Sequence, residues 1–154
     1  DQGTLGCRHL QCGEEDRLTQ IQNRSFTGTW GYNPNTVEAI TYRINLSNCS
    51  PEDVVLIYDR DKVIGYCWTE ITYEGEAGIG GKKGRIFMLG VEPDYRGRGV
   101  GKRALLAGLA HLKSKGLRIA ELTVDSENKA ACALYRSVSF EVYTSSLCYE
   151  KVIT

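Results

Sequence analysis

The chain has 154 residues, of which 42% are hydrophobic and 25% charged, a composition that suits one ordinary globular domain with a core of its own, expected over residues 1–154. Nineteen basic and nineteen acidic residues leave no net charge, so composition gives no support to nucleic acid or an anionic membrane as the main partner. No apolar run approaches a membrane span and no leader pattern opens the chain, which predicts a cytoplasmic protein, monomeric or homodimeric. The missing initiator Met suggests a trimmed chain or a piece of a longer one. Cysteines at 7, 12, 49, 67, 132 and 148 form no C-x-x-C pair, and only His9 and His111 supplement them, so no metal site is expected. They read as reduced, buried, structural thiols, least firmly at Cys7 and Cys12.

In chain order, residues 4–10 suit a short edge strand. Gly13-Glu14-Glu15-Asp16 then places acids at a helix N-terminus, and Leu18, Ile21 and Gln22 form a modest stripe ending near Asn23. Residues 26–34 predict an aromatic, glycine-containing loop. Pro34 suits a first helical position, with Val37, Ile40, Thr41 and Ile44 following at helical spacing. Residues 53–58 and 62–73 predict a hairpin across Asp59-Arg60-Asp61. Gly75 to Gly84 predicts an exposed, mobile turn, and residues 86–91 a central strand. A helix from Gly99 carries Leu105, Leu109 and Leu112 at i, i+4 and i+7 and stops at Gly116; His111 on it reads as structural. Residues 117–125 predict a strand, 128–138 a helix with Ala131, Leu134, Tyr135 and Val138 on one face, and 140–143 with 146–152 a closing pair.

Between the central strand and its helix lies Val91-Glu92-Pro93-Asp94-Tyr95-Arg96-Gly97-Arg98-Gly99-Val100-Gly101. Alternate glycines let the backbone turn sharply and expose its N–H groups, and a helix start adds unpaired N–H groups and the positive end of the dipole. That is an anion cradle. Each hydrogen bond to a charged group is worth about 1.5–3 kcal/mol, against roughly 0.3–1 kcal/mol for the dipole, so the aligned amides dominate, with Arg96, Arg98 and Lys102 adding charge. A phosphate loop of the Walker type fails, because Arg96 stands at its first glycine and Arg103 at its Ser/Thr. A dinucleotide fingerprint from Gly97 fails because its third glycine is Lys102.

R-x-x-G-x-G does fit, from Arg96 to Gly101 after Val91-x-Pro93, and resembles the acetyl-CoA pyrophosphate loop of the GNAT acyltransferase superfamily. Val124-Asp125-Ser126-Glu127-Asn128-Lys129-Ala130-Ala131 and Leu134-Tyr135-Arg136-Ser137-Val138-Ser139-Phe140 resemble the second signature of that family, with Ser139 where Gly is usual. Gly65-Tyr66-Cys67-Trp68-Thr69, the Gly90-Val91 strand end and the Asn128 segment are closest in flavour to mycothiol synthase-like members. The resemblance implies an α/β (α+β) GNAT fold: a mixed, largely antiparallel sheet of about seven strands, flanked by about four helices and splayed where acetyl-CoA enters.

It also implies an N-acetyltransferase in which an amine of a small molecule or peptide attacks the thioester carbon of acetyl-CoA, an oxyanion develops and the thiolate leaves. Backbone N–H groups at Leu89, Gly90 and Val91 would pair with the pantetheine and polarise the acetyl carbonyl. Arg96, Gly97, Arg98, Gly99, Val100, Gly101 and Lys102 would hold the diphosphate. Tyr135 would donate to the departing thiolate, and Asn128 would bond the pantetheine arm, cap its helix, or both. Trp30 and Tyr32 either line an acceptor pocket or plug the space between helices and sheet. Glu70, Glu92, Glu121 and Asp125 are candidate bases, and Thr123 stands where related ribosomal-protein acetyltransferases carry Glu. Arg85 occupies the position at which mycothiol synthases hold the acceptor amine with Glu. Without a strong base, a lysine amine costs roughly 4.6 kcal/mol to deprotonate at pH 7 and an α-amino group about 1 kcal/mol, which favours an acceptor of low pKa. A non-catalytic acyl-CoA sensor and one half of a tandem two-domain acyltransferase are the alternatives.

Overall fold

The computed structural model describes residues 5–26, 34–45, 50–73, 82–123, 129–138, 141–142 and 148–153. β1 (Leu5–His9) leads through α1 (Glu15–Ser25) and α2 (Val37–Ile44) to β2 (Val54–Asp59), β3 (Lys62–Tyr73) and β4 (Lys82–Val91). α3 (Val100–Ser114), β5 (Ile119–Thr123), α4 (Lys129–Ser137), β6 (Glu141–Val142) and β7 (Cys148–Val152) follow. The strands form a seven-stranded sheet in the order β1-β2-β3-β4-β5-β7-β6. Every pairing is antiparallel except that of β4 with β5. This is the mixed sheet with four helices that the sequence predicts.

Period-two alternation sends each strand's side chains to two cores. On one face Ile57, Ile64, Cys67, Ile86, Ala120 and Leu122 meet Val100, Ala104, Leu105, Leu109 and Leu112 of α3 and Tyr135 and Val138 beyond them. On the other, Val54, Leu56, Val63, Tyr66 and Trp68 meet Leu18 and Ile21 of α1 and Ile40 and Ile44 of α2. α1 starts with Glu15 and Asp16 and ends with Arg24, each charge complementing the helix dipole. α3 ends as the sequence predicts. Gly116 takes φ +84°, Leu117 N–H donates to the Leu112 carbonyl at 3.2 Å and Gly116 N–H to that of Lys113 at 2.9 Å, the paired bonds of a Schellman stop.

Three expectations are corrected. Pro34 does not open α2: Thr36 caps it, its hydroxyl accepting from Ala39 N–H at 3.1 Å, because a side-chain acceptor at the helix mouth satisfies an N–H that proline merely lacks. The glycine-rich link does not run to Gly84, since β4 begins at Lys82 and pairs with β3 from there. Cys7 and Cys12 are exposed free thiols, whereas Cys67 and Cys132 are buried as expected. The expectations for Trp30, Tyr32, Asp125, Asn128, Ser139 and Phe140 lie outside the described residues.

His111 has a structural partner. Its Nε2 lies 2.7 Å from Oδ1 of buried Asp53, whose Oδ2 accepts from Ser50 N–H at 3.0 Å. Thr69 Oγ1 donates to the Asp53 carbonyl at 2.6 Å, tying β3 to the start of β2. Burial works against the Asp53 charge, but the bonds from His111 and Ser50 outweigh it and hold the carboxyl below the usual aspartate range. A folded-state pKa below the unfolded one, about 3.9, adds stability that is present above that value and lost as pH falls through the folded-state pKa. Urea unfolding between pH 5 and pH 3 should therefore show a shallower loss of stability for Asp53→Asn than for the unaltered chain. His111→Ala, which removes a donor from a buried carboxylate, should cost about 1–3 kcal/mol at pH 7.

Candidate active site

β4 ends at Val91, a 3-10 turn spans Pro93–Tyr95, and α3 starts at Val100. Gly97 and Gly99 take φ of +78° and +81°, where a side chain would be strained. Gly99 is the N-cap of α3 and its carbonyl accepts the first helical bond, from Arg103 N–H at 3.0 Å. The N–H groups of Val100, Gly101 and Lys102 consequently have no intrahelical acceptor, and no acidic side chain stands in the first turn to compete for them. A Cβ on Gly97 would meet nothing within 4 Å, so the turn is open to a ligand. Gly101 is not forced by packing, since a Cβ there would make ordinary contacts at 3.5 Å with Leu134 of α4 and with Val91.

The cationic side chains of the loop divide their work. Arg96 Nη2 donates to the Ser25 carbonyl at 2.6 Å, tying the end of α1 to the cradle. The Arg98 guanidinium lies 5.4 Å from the Tyr95 ring, whose hydroxyl donates to Asp59 Oδ2 at 2.9 Å. Lys102 is exposed. On the β1–β3 side of the cradle a cavity of about 950 Å³ is lined by Arg17, Arg24, Arg60, Lys62 and Arg98 among others, against only Asp59 and Asp61. It lies away from the β4–β5 junction and adds positive field beside the cradle rather than a second catalytic cleft.

That junction diverges. β4 stays in register with β3 from Lys82 to Val91, and β5 with β7 out to Thr123, yet β4 and β5 pair only at Gly84↔Ala120 and Arg85↔Glu121. Residues 86–91 thus have no partner on the β5 side among the described residues. A bulge contributes: Trp68 pairs with Met88 and Thr69 with Ile86, leaving Phe87 as an extra residue on β4, and bulges bend the strand that carries them. Gly90 is glycine for packing, because a Cβ would lie 2.5 Å from both Ser25 Oγ and Tyr66 Cε1. The end of α1 presses directly on β4.

Tyr135 is buried in the α3-side core, next to the Leu134 that meets the start of α3. Burial pushes its phenol up to about 12, with the thiols of Cys67 and Cys132 adding to the effect, still further above neutral pH than an ordinary tyrosine, so it is a donor there. The candidate bases separate. Buried Glu70 is held on both oxygens, by Arg43 Nη2 at 3.3 Å and Arg85 Nη1 at 3.2 Å. Buried Glu92 pairs with Arg24 Nε at 2.7 Å. Glu121 sits at the last β4–β5 pair, is half-buried, and faces away from the α3 core that takes Ala120 and Leu122. It makes no ion pair among the described residues. The Arg43–Glu70–Arg85 cluster and the Arg96–Ser25 tie were not legible in the sequence: their members are 27, 15 and 71 positions apart, with no local pattern between them.

Known proteins resemble this chain in sequence and in fold. The acetyltransferase (GNAT) family profile matches residues 15–140. The chain is 36% identical over 121 residues to a mycothiol acetyltransferase of Thermobifida fusca, covering 76% of this chain and 37% of that protein. It is 35% identical over 143 residues to a mycothiol acetyltransferase of Thermobispora bispora, covering 90% and 46%. The chain therefore spans about half the length, or less, of these relatives. Among solved structures, a GNAT family acetyltransferase from Brucella melitensis in complex with acetyl-CoA matches with TM-score 0.77 at 18% identity, over 97% of this chain and 88% of that one. The ribosomal-protein-S18-alanine N-acetyltransferase of Escherichia coli matches with TM-score 0.75 at 17% identity, over 97% and 94%. The profile match across most of the chain, on a sheet that opens beside a glycine-built anion cradle, means that this chain belongs to the acetyltransferase (GNAT) family.

Proposed function

We propose that residues 1–154 form a single GNAT domain that moves an acetyl group from acetyl-CoA to a primary amine of a small molecule or peptide, by direct attack in a ternary complex. One observation carries this reading: the anion cradle and the unpaired edge of β4 adjoin at the same strand end. A diphosphate suits the cradle. An arm containing amides suits the edge, because an interior strand that loses its neighbour must find donors and acceptors elsewhere. Acetyl-CoA has both and supplies an activated thioester.

The chain's own groups then have distinct tasks. Gly97, Gly99, Val100, Gly101 and Lys102 offer backbone N–H groups to the diphosphate, Arg98 and the Lys102 side chain add charge, and Arg96 holds α1 against the cradle with one donor while retaining others. Leu89, Gly90 and Val91 present backbone groups to the arm and the carbonyl. Tyr135, a protonated phenol at neutral pH, donates to the leaving sulfur. Of the candidate carboxylates among the described residues, Glu121 is the one left to accept the amine's proton, since Glu70 and Glu92 are engaged by arginines. Asn128, next to α4, is assigned to the pantetheine arm. A second reading, that this domain is half of a tandem two-domain acyltransferase, is favoured by its coverage of less than half of the two mycothiol acetyltransferases.

Gly99→Val places a branched side chain at φ +81°, a strain of about 1–2 kcal/mol or more, and should abolish CoA binding in calorimetry while far-ultraviolet circular dichroism stays unchanged. Normal affinity in the folded variant would move the cradle elsewhere. Tyr135→Phe should lower kcat in a thiol-release assay by roughly 10²-fold with little change in CoA affinity; an unchanged kcat removes Tyr135 from the chemistry. Glu121→Gln should depress kcat/KM at pH 7 and recover towards the unaltered rate at high pH, where the amine sheds its own proton. A parallel profile at all pH values would assign the base elsewhere. Thiol release with none of a panel of amines, despite CoA binding, would leave an acyl-CoA sensor.

A further inference from the structure

We infer that the acceptor carries a carboxylate beside its amine, and that Arg43 and Arg85 receive it on the α1–α2 face of the β4–β5 divergence. The inference rests on the acetyl-transfer reading and narrows its substrate class.

Charge is the first support. Two guanidiniums share one carboxylate, Glu70, and so leave one net positive charge. The Glu70 side chain is 4% exposed, whereas those of Arg43 and Arg85 are 39% and 38% exposed, so the uncompensated charge faces solvent. A cation pair buried only at its root is arranged to meet an anion from outside. Arg85 spends Nη1 on Glu70, and the rest of its five-donor fork is available to a planar, bidentate carboxylate.

Position is the second. Arg85 is the last β4 residue with a β5 partner, and Glu121, opposite it in register, forms no ion pair with it. Arg43 reaches across from α2 and lies 3.8 Å from the centroid of Phe87, the extra residue of the bulge. Leu89 is four residues beyond Arg85, at most roughly 13 Å of strand, a separation that the reach of an arginine side chain and the amine-to-carboxylate span of a short peptide cover between them. The opposite face of the cleft is filled by the α3 core, so an acceptor reaches the thioester from the arginine side. One carboxylate (Glu121) and two guanidiniums around a half-exposed aromatic ring complement a zwitterion rather than a simple amine.

Rigidity is the third. Glu70 fixes both guanidiniums from beneath and Phe87 supports the face of one, so little ordering is left for binding to cost.

Alanyl-glycine and alanyl-glycinamide, whose amines are alike and whose far ends differ in charge, test this directly in the thiol-release assay. The dipeptide acid should exceed the amide in kcat/KM by roughly tenfold or more, mainly through KM, as a hydrogen-bonded charge pair predicts. Arg85→Gln and Arg43→Gln should erase the preference, and Arg85→Lys should restore part of it. CoA affinity should stay constant throughout. Equal use of acid and amide, or a preference that survives both glutamine variants, overturns the inference while leaving acetyl transfer intact. Thiol release with no amine at all would sink the acetyl-transfer reading instead. The platform is then judged by calorimetry of N-acetyl-alanyl-glycine and its amide on the CoA complex: tighter binding of the acid supports it, and equal binding overturns it.

Discussion

Two backbone pairs, Gly84↔Ala120 and Arg85↔Glu121, form the parallel seam between β1–β4 and β5–β7, and the rest of the molecule is arranged around the seam's early end. Backbone hydrogen bonds contribute about 0.5–1.5 kcal/mol each, too little for so short a seam to hold two half-sheets. α3 supplies the difference. Leu105, Leu109 and Leu112 lie buried against Ile64 and Cys67 from one half and Ala120 and Leu122 from the other, at about 1.5–3 kcal/mol per fully buried side chain. A Cβ on Gly84 would lie 2.7 Å from Leu112, which shows how closely the helix sits on the seam. Because hydrophobic packing on one face carries the join, the strands can part on the other without the fold coming apart.

The same helix that clamps the two halves also opens the anion cradle, so cradle and cleft are fixed relative to each other by one rigid element. α1 secures the arrangement from the opposite face: the Ser25 carbonyl accepts from Arg96, Arg24 pairs with Glu92, and Ser25 fits where Gly90 has no side chain. Main-chain geometry, a structural ion pair and a missing Cβ thus converge at the end of β4. The charged residues sort by the same logic. Carboxylates that fall under arginines, such as Glu70 and Glu92, become parts of the scaffold, whereas Glu121 at the cleft makes no ion pair among the described residues.

What could be read beforehand was whatever is local in the chain. The alternate glycines at 97, 99 and 101 announce a turn into a helix whatever surrounds them, and Leu105, Leu109 and Leu112 carry their own period. Even so, the three glycines are not equivalent: backbone conformation requires those at 97 and 99, while 101 has neither a positive φ nor a clash to demand one, a distinction that only the φ values and neighbours reveal. The start of β4 was hidden because Lys82 and Lys83 look like loop residues until β3 is beside them to pair with, a case of sheet context overriding propensity. The bulge at Phe87 has no glycine or proline to signal it, and the Arg43–Glu70–Arg85 cluster joins three elements distant in sequence. Tyr135 could be singled out from its signature, but the upward push on its phenol comes from burial, which no linear pattern states.

The central claim is that one coenzyme lies with its diphosphate on the start of α3 and its arm along the unpaired edge of β4. Solving a crystal structure of this chain grown with acetyl-CoA tests it most directly. The account predicts diphosphate oxygens within hydrogen-bonding distance of the N–H groups of residues 97–102 and pantetheine amides bonded to residues 86–91. A diphosphate bonded to none of those N–H groups, with β4 still unpaired, would contradict it.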